Sequence, residues 1–407
     1  SFIELFDSAT YIIDRNQVRP GANMAVLHVS HPDIEEFIRA KTRQQGLQNF
    51  NLSVAVDERF LDSLERGGHY PLIHSRTGAV VGEKPARKIM DMIAESAWEC
   101  GDPGVLFIDR INRENPTPGL GRIEATNPCG EQPLLPFESC TLGSVNLTRF
   151  VSDQGIDYEG LERIVTLAVH FLDNVIEVNR YPLRRIEEWS RTNRKIGLGV
   201  MGFADALIAM GVPYQSQKAL DLAEQIMGCI QQTAAAASAR LAETRGSFPA
   251  FGHSVFPEKG VMRRRNAAVT TIAPTGTISL IAGVSSGIEP VFAFELQRKV
   301  VDKVIEQVHP LYQACLDKGQ TPPKEIFQTA WDVAPEWHLK IQEAFQKHTD
   351  NAVSKTVNFP ADATISDIRR LFDQAAAMQL KGVTVYRDNS RQGQSLSACP
   401  VRCERCE

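Results

Sequence analysis

The stretch TISDIRRLFDQAAAMQLKGVTVY, residues 364–386, places a helix signal directly before a strand signal. Thr364 and Asp367 have the spacing of a capping box, which predicts a helix that begins here and runs through Lys381 to the following glycine. The β-branched run at residues 383–386 then predicts a strand. This succession of helix and strand is typical of α/β proteins, in which helices connect parallel strands.

The same alternation of amphipathic helices and short β-branched runs extends along most of the chain. Apolar residues from Leu161 to Ile176 follow helical spacing, and a second long helix is predicted from Ser216 to Arg245. Residues 266–273 resemble a strand that leads directly into a Pro-Thr-Gly-Thr turn. The sequence therefore predicts an α/β fold.

Composition narrows the class of protein. The 407 residues are 43% hydrophobic and 23% charged, which permits a large buried core. A net charge of -5 without a clustered Lys/Arg stripe disfavours a nucleic acid polymer as partner.

No apolar run is long enough to cross a bilayer and no secretory leader opens the chain, so we expect a cytoplasmic protein without a membrane partner. Because the first residue is Ser1 and helical spacing begins at Phe2, we expect that an upstream segment is missing.

The eight cysteines are too sparse for a disulfide scaffold and are expected to be thiols, ligands or catalysts. Cys100, Cys229 and Cys315 lie within helical patterns, which predicts buried, chemically silent side chains. No metal site is assigned.

A more informative cysteine lies in the segment NPCGE, residues 127–131. Proline and glycine disfavour a helix here, and in an extended segment Asn127, Cys129 and Glu131 would share one face. An amide, a thiol and a carboxylate side by side could perform thiol chemistry next to a general base. An ordinary surface loop is the alternative interpretation.

This motif, followed by Cys140-Thr141-Leu142, closely resembles the active-site finger loop of ribonucleotide reductases. The resemblance continues in order along nearly the whole chain and leaves out only the last dozen residues. The further matching stretches are residues 21–37, 49–53, 101–104, 197–200, 274–279 and 287–290. The resemblance implies a ten-stranded α/β barrel whose upstream strands are missing, spanning residues 1–395, followed by a cysteine-containing tail at residues 396–407.

The resemblance also implies roles for the residues of this loop. Cys129 matches the cysteine that becomes a thiyl radical and abstracts the ribose 3′-hydrogen. Glu131 matches the carboxylate that takes the 3′-hydroxyl proton, and Asn127 the amide that hydrogen-bonds in the same site. Cys140 matches one of two cysteines that supply electrons and end as a disulfide. The family's second redox cysteine lies upstream, and here no cysteine precedes Cys100.

Two loops are expected to contact nucleotides. The turn at Thr275, Gly276, Thr277, Ile278 and Ser279 offers hydroxyls and backbone N–H groups that suit phosphate, although a plain helix cap has the same composition. Its resemblance to the substrate-phosphate loop of the family favours phosphate. Near the start, Arg19, Gly21 and Ala22 resemble the end of the loop that senses the effector and contacts the substrate base, and a solvated surface loop is the alternative.

The class of reductase is predicted from the strand that ends at Tyr386. Members that receive a radical from a metal-containing subunit usually carry adjacent tyrosines here, whereas Arg387 follows Tyr386 in this chain. No glycine-radical loop is recognisable near the C-terminus. The motifs resemble the adenosylcobalamin-dependent class, in which the cofactor generates the radical locally. The alternatives are a two-subunit tyrosyl-radical reductase and a catalytically silent regulatory fragment or homologue.

The resemblance further implies a ribonucleotide substrate, allosteric deoxynucleotide effectors, a thioredoxin-like dithiol reductant and a homodimer. The tail cysteines Cys399, Cys403 and Cys406 could re-reduce the active-site disulfide or bind metal. Three thiolates are one ligand short of a closed zinc site, which slightly favours a thiol shuttle.

Overall fold

The computed structural model describes residues 2–14, 21–43, 46–300 and 303–390. The strands are β1 (Asn23–His28), β2 (Phe50–Val56), β3 (His69–Ile73), β4 (Val80–Pro85), β5 (Gly104–Phe107), β6 (Ala125–Thr126), β7 (Pro133–Leu134), β8 (Thr141–Asn146), β9 (Val151–Ser152), β10 (Gly155–Ile156), β11 (Ile196–Met201), β12 (Glu295–Val300), β13 (Lys303–Val308), β14 (Thr356–Phe359) and β15 (Gly382–Arg387).

The helices are α1 (Phe2–Asp14), α2 (Ile34–Ile38), α3 (Ala40–Arg43), α4 (Glu58–Glu65), α5 (Ala86–Cys100), α6 (Ile108–Arg113), α7 (Tyr158–Val178), α8 (Arg184–Asn193), α9 (Phe203–Ala209), α10 (Gln217–Arg245), α11 (Gly276–Ala282), α12 (Pro310–Asp317), α13 (Pro335–Gln346) and α14 (Ile365–Ala377). Short 3-10 helices cover Pro118–Leu120, Leu147–Phe150 and Pro249–His253. The predicted α/β class is therefore confirmed.

The sheet strands form two parallel sets. Strands β1, β2 and β5 are parallel neighbours, and β15 runs antiparallel to β5 and parallel to β14. Strand β8 pairs in parallel with β11. Isolated parallel bridges, Leu198 with Thr270 and Ile272 with Val353, connect β11 to the segment that precedes β14. The two sets thus meet in antiparallel orientation at β5 and β15.

Two hydrophobic clusters fix these strands in place. One joins β8 and β11 to α7, α10 and α13, and the other joins β1, β2, β5, β14 and β15 to α5 and α14. Along β15, Val383 and Val385 belong to the second cluster, whereas Thr384 and Tyr386 point to the opposite face because strand side chains alternate. That opposite face carries the candidate site.

The predicted helix starts are confirmed by their caps. Thr364 and Asp367 form the full capping box of α14, and the Ser216 hydroxyl accepts from the backbone N–H of Ala219 to start α10. The predicted end of the first helix was wrong. Helix α14 ends at Ala377 because Gln379 has a positive φ of 59° and the buried ammonium of Lys381 donates to backbone carbonyls, including that of Asp350 at 2.9 Å.

The predicted strand at residues 266–273 is an extended segment with strand-like bonds on both sides. Leu198 N donates to Val269 O and Thr271 N donates to Leu198 O. On the other side, Ile272 N donates to Ala352 O at 3.2 Å. The segment therefore belongs to the second parallel set of strands, although only Thr270 and Ile272 form isolated β-bridges.

Candidate functional site

The loop that carries Cys129 is the tip of a short hairpin. Strands β6 and β7 are antiparallel, and Asn127 closes the tip because its Oδ1 accepts from Gln132 N at 3.0 Å. Asn127 O also accepts from Gly130 N at 3.0 Å, and Gly130 has a positive φ of 82° that glycine tolerates. The predicted extended segment with three side chains on one face was therefore wrong. A turn exposes Cys129 and buries Glu131.

Three contacts anchor this hairpin tip to the surrounding strands and extended segments. Asn51 on β2 donates from Nδ2 to Pro128 O at 2.7 Å. On the other side, Glu131 O accepts from Ala352 N and from the Thr271 hydroxyl, both at 2.9 Å. The tip is thereby tied to both parallel sets of strands, which fixes the position of the Cys129 thiol.

Cys129 opens into a cavity of about 420 Å³. The walls come from β2, β5, β15, the hairpin tip and the turn before α11, including Asn51, Gly104, Gly276 and Tyr386. Glu289 and Lys355 line the same cavity and form an ion pair in which Lys355 is buried and Glu289 is half-buried. One cavity therefore joins the predicted thiol loop to the predicted phosphate loop, and its size is that of a small-molecule site.

Glu131 lies behind the thiol as a buried acid. Its side chain is 2% exposed, and its Oε2 atom has no hydrogen-bond partner among the described residues. Burial raises the pKa of Glu131, opposed by hydrogen bonds from its own backbone and from Asn127. A carboxylate with a raised pKa is a stronger base than an ordinary one, which suits it to accept and return a proton during a reaction.

Cys140 is half-buried directly before β8 and is not among the residues that line the cavity of Cys129. Burial strongly raises the pKa of its thiol; Lys195 lowers it, while Glu138 and Glu131 raise it further. Cys140 thus lies within electrostatic reach of Glu131, although it faces a different environment from Cys129.

The predicted phosphate turn contributes only part of its groups to the cavity. Gly276 lines the cavity, and Thr277 and Ile278 are exposed. Thr275 has a positive φ of 57°, and its hydroxyl accepts from Gly287 N at 2.8 Å. The Ser279 hydroxyl is buried against Gly276 O and the Ser286 hydroxyl. The hydroxyls of Thr275 and Ser279 are therefore engaged within the protein.

The other predicted site residues lie away from the cavity or outside the described part of the chain. Gly21 is half-buried and Ala22 is exposed just before β1. Arg19 and the tail cysteines Cys399, Cys403 and Cys406 lie outside the described residues.

Three residues at or near the site were not predicted from the sequence. Asn51 lies in the matching stretch 49–53 and Glu289 in the stretch 287–290, whereas Lys195 lies outside the matching stretches, two positions before residue 197. The signal in the sequence that could have identified these residues is a polar or charged side chain within a motif that matches the family. Their partners are distant in sequence, so no spacing pattern revealed the contacts.

Across residues 2–14, 21–43, 46–300 and 303–390, no group of three or more His, Cys, Asp or Glu side chains could hold a metal ion. Within those same ranges, none of the helices has the length and apolar character needed to span a bilayer.

The chain has an α/β fold with a cavity into which the thiol of Cys129 opens. These features are typical of an enzyme that uses a thiol in catalysis. The family model for the ribonucleotide reductase barrel domain matches residues 1–263 and 258–386. The chain therefore belongs to the ribonucleotide reductase barrel family, as its motifs predict.

Curated relatives agree with this family. The chain is 49% identical, over 98% of its length, to a vitamin B12-dependent ribonucleoside-diphosphate reductase of Mycobacterium tuberculosis (strain CDC 1551 / Oshkosh), of which it covers 61%. It is 44% identical to the protein of the same name from Thermoplasma acidophilum, of which it covers 55%. A ribonucleoside-diphosphate reductase subunit alpha of Chlamydia muridarum is 26% identical over 86% of the chain. The chain thus spans somewhat more than half the length of the Mycobacterium tuberculosis and Thermoplasma acidophilum relatives.

Proposed function

We propose that this chain is the catalytic part of an adenosylcobalamin-dependent ribonucleotide reductase that converts ribonucleoside diphosphates to 2′-deoxyribonucleoside diphosphates. The observation that carries the proposal is the single cavity lined by Cys129, Gly276 and Tyr386. The Cys129 thiol, on a loop held by hydrogen bonds, and Gly276 of the turn at residues 275–279, which resembles the substrate-phosphate loop of the family, both line this cavity. The diphosphate form follows the names of the relatives with 44% and 49% identity.

In this proposal Cys129, as a thiyl radical, abstracts the 3′-hydrogen of the ribose and becomes a thiol, and it becomes the thiyl radical again when it returns that hydrogen. Glu131 takes the 3′-hydroxyl proton. Its burial and raised pKa support a group that accepts and returns a proton during the reaction. The Asn127 side chain, which closes the hairpin tip, holds the loop and hydrogen-bonds in the same site.

Cys140 supplies electrons in this proposal. Its thiol and that of a second cysteine each lose a hydrogen as the 2′-hydroxyl leaves as water, and the two sulfurs end as a disulfide. A thioredoxin-like dithiol then reduces the disulfide, with the tail cysteines Cys399, Cys403 and Cys406 as carriers. The raised pKa of Cys140 supports a sulfur that keeps its proton until it is used.

The substrate phosphates are proposed to bind at the turn from Thr275 to Ser279. Gly276 lines the cavity and has open space where a Cβ would stand, so that a phosphate oxygen can approach the backbone. Thr277 is exposed and can donate its hydroxyl. Because Thr275 and Ser279 already bond within the protein, we expect them to shape the turn rather than to contact the phosphates.

The residue after Tyr386 supports the cobalamin class. Arg387 stacks its guanidinium 4.1 Å from the centre of the Trp98 ring and donates from Nε to Trp98 O at 2.9 Å. Tyr386 lines the cavity with its ring 6.2 Å from that of Trp331. The second tyrosine of a relay between subunits is thus replaced by a cation that packs on helix α5.

A second cavity next to the first fits part of the cofactor. It measures about 460 Å³ and shares Ser286, Glu289 and Thr356 with the cavity of the thiol. Its wall is largely apolar, and Ser285 is among its lining residues. These features suit a nucleoside-like group, and we propose that this wall holds the adenosyl part. Bound adenosylcobalamin would supply the radical by homolysis of its cobalt–carbon bond.

The remaining parts of the proposal concern the whole protein. The antiparallel meeting of two parallel strand sets at β5 and β15 supports a ten-stranded barrel to which residues 1–395 contribute. Residues 396–407 form the proposed tail. Deoxynucleotide effectors would act through the loop of Arg19, Gly21 and Ala22, and the protein would form a homodimer in the cytoplasm.

The test is anaerobic formation of deoxyribonucleotide by the protein at its full natural length. The assay contains a ribonucleoside diphosphate, a dithiol and adenosylcobalamin, without a second subunit. We expect product. Product only with a metal-containing radical subunit would assign the protein to the two-subunit class, and no product under either condition would favour a catalytically silent homologue.

A further inference from the structure

Cys140 and Lys195 occupy matching positions immediately before two neighbouring strands. Strands β8 and β11 are parallel with Thr141 opposite Ile196, so the residues immediately before each strand are neighbours as well. Thr141 N donates to Lys195 O at 3.4 Å, which extends the pairing to this position. The pairing therefore places the buried side chain of Lys195 close enough to act electrostatically on the Cys140 thiol.

Lys195 forms a buried ion pair with Glu138. Its Nζ lies 2.7 Å from Glu138 Oε2, and both side chains are 1% exposed. The Glu138 carboxylate also accepts from Leu135 N at 2.7 Å and from the Asn193 side chain. Buried charges interact more strongly than exposed ones because little water screens them. The pair is therefore held rigidly and exerts a fixed field on its neighbours.

We propose that the buried ion pair of Lys195 and Glu138 controls how readily the Cys140 sulfur carries negative charge, with Lys195 as the positioning residue for its redox chemistry. The redox role of Cys140 itself rests on the proposed function. The charged groups that act on the thiol are Lys195, which favours thiolate, and Glu138 and Glu131, which disfavour it.

The pair suits the two halves of a thiol–disulfide cycle. Burial keeps Cys140 a neutral thiol, which retains the hydrogen that it donates during reduction of the substrate. When an external dithiol reduces the disulfide, its thiolate bonds to the partner sulfur, the disulfide bond breaks, and Cys140 leaves with the electron pair as a thiolate that is then protonated. The nearby ammonium of Lys195 stabilises that leaving thiolate.

The test is the rate at which iodoacetamide alkylates Cys140 in the purified chain at one fixed pH, followed by mass spectrometry of the peptide. Cys229, which lies on α10, serves as the internal reference in each digest. We expect Lys195→Met to slow alkylation of Cys140 at least about threefold, because loss of a nearby cation lowers the thiolate fraction. Lys195→Arg, which keeps the charge, should stay within about twofold of the wild type.

The sign of the effect separates this role from a structural one. A lysine that only packs the strands would, when removed, loosen them and expose Cys140, so that alkylation accelerates. Faster or unchanged alkylation in Lys195→Met overturns the proposal, as does an equal slowing of Cys229. Lys381→Met is the matched control, because it removes another buried lysine, held by Glu114 and by backbone carbonyls.

A second variant covers the case in which Lys195→Met does not fold. Glu138→Gln combined with Lys195→Met leaves no unpaired buried charge from this pair, and we again expect slower alkylation of Cys140 than in the wild type. An unchanged rate in the double variant overturns the proposal. Alkylation of Cys140 can be measured without turnover, so the result can be interpreted even if the protein has no reductase activity. If the enzyme is active but Lys195 variants do not change the alkylation rate of Cys140, this inference is refuted and the proposed function is not.

Discussion

Asn51 on β2 donates a 2.7 Å hydrogen bond to the carbonyl oxygen of Pro128, the residue before Cys129. The bond links the strand set at one side of the cavity to the loop that enters it. Both residues line that cavity, so the bond lies within the site itself. It explains how an exposed turn can hold a thiol in a defined position.

Loss of this bond should reduce turnover more than stability. We expect Asn51→Ala to lower product formation at least about tenfold, because reactions that depend on close alignment are sensitive to small displacements. Its free energy of unfolding should fall by only about 1 kcal/mol. Asn112→Ala is the control, since Asn112 makes comparable bonds to the backbone of Ile108 and Ile123. Equal turnover in the two variants would contradict the role of Asn51.

Replacement of the thiol should separate binding from chemistry. Cys129→Ser is expected to abolish deoxyribonucleotide formation, because a serine hydroxyl does not replace the thiyl radical, while nucleotide binding measured by calorimetry stays unchanged. Cys315→Ser, at a half-buried cysteine on α12, is the matched control and should retain activity. Turnover by Cys129→Ser would exclude a thiyl radical at this position.

The buried carboxyl of Glu131 should make stability depend on pH. Its pKa in the folded protein is raised above the ordinary value of 4.5, so ionisation costs more in the folded than in the unfolded state. The contribution of Glu131 to stability should therefore be greatest below that ordinary value and decline as the pH rises through the raised pKa. Glu131→Gln removes this loss.

We accordingly expect Glu131→Gln to exceed the wild type in free energy of unfolding at neutral pH, by on the order of 1 kcal/mol, with the difference vanishing in acid. Denaturant unfolding across the pH range measures it. Product formation should fall by about 100-fold or more, as expected for loss of a general base. Glu124→Gln, at an exposed residue just before β6, is the control. A variant less stable than the wild type at neutral pH would refute the burial argument.

A close approach of backbones should make Gly199 on β11 intolerant of any side chain. A Cβ at this position would overlap the carbonyl oxygen of Thr271 in the neighbouring extended segment. We expect Gly199→Ala to lower the free energy of unfolding by about 3 kcal/mol or more, or to prevent folding. Gly252→Ala, where a Cβ meets open space, should change the free energy of unfolding by less than about 1 kcal/mol. Thermal unfolding of both variants measures these changes. A stable Gly199→Ala protein would show that the two segments can separate.

Local signals in the sequence determined the fold class and the starts of two helices. The capping box of Thr364 and Asp367 formed as predicted, and the helix predicted from Ser216 begins with a Ser216 cap, because each cap joins residues three positions apart. The order of the motifs determined the family as well, which the match to the barrel domain confirms. The candidate residues Cys129 and Gly276 were likewise identified from the sequence, and the structure brings both to one cavity.

Only the tertiary structure decided features that depend on contacts between distant residues. Helix α14 ends early because Lys381 is drawn into contact with Asp350, and the segment around Cys129 turns instead of extending because Asn51 and Ala352 hold its two sides. The proximity of Lys195 to Cys140 follows from the register of β8 and β11. Periodicity and spacing describe only neighbours along the chain, whereas these contacts arise when separate strands pair and bury their charged groups together.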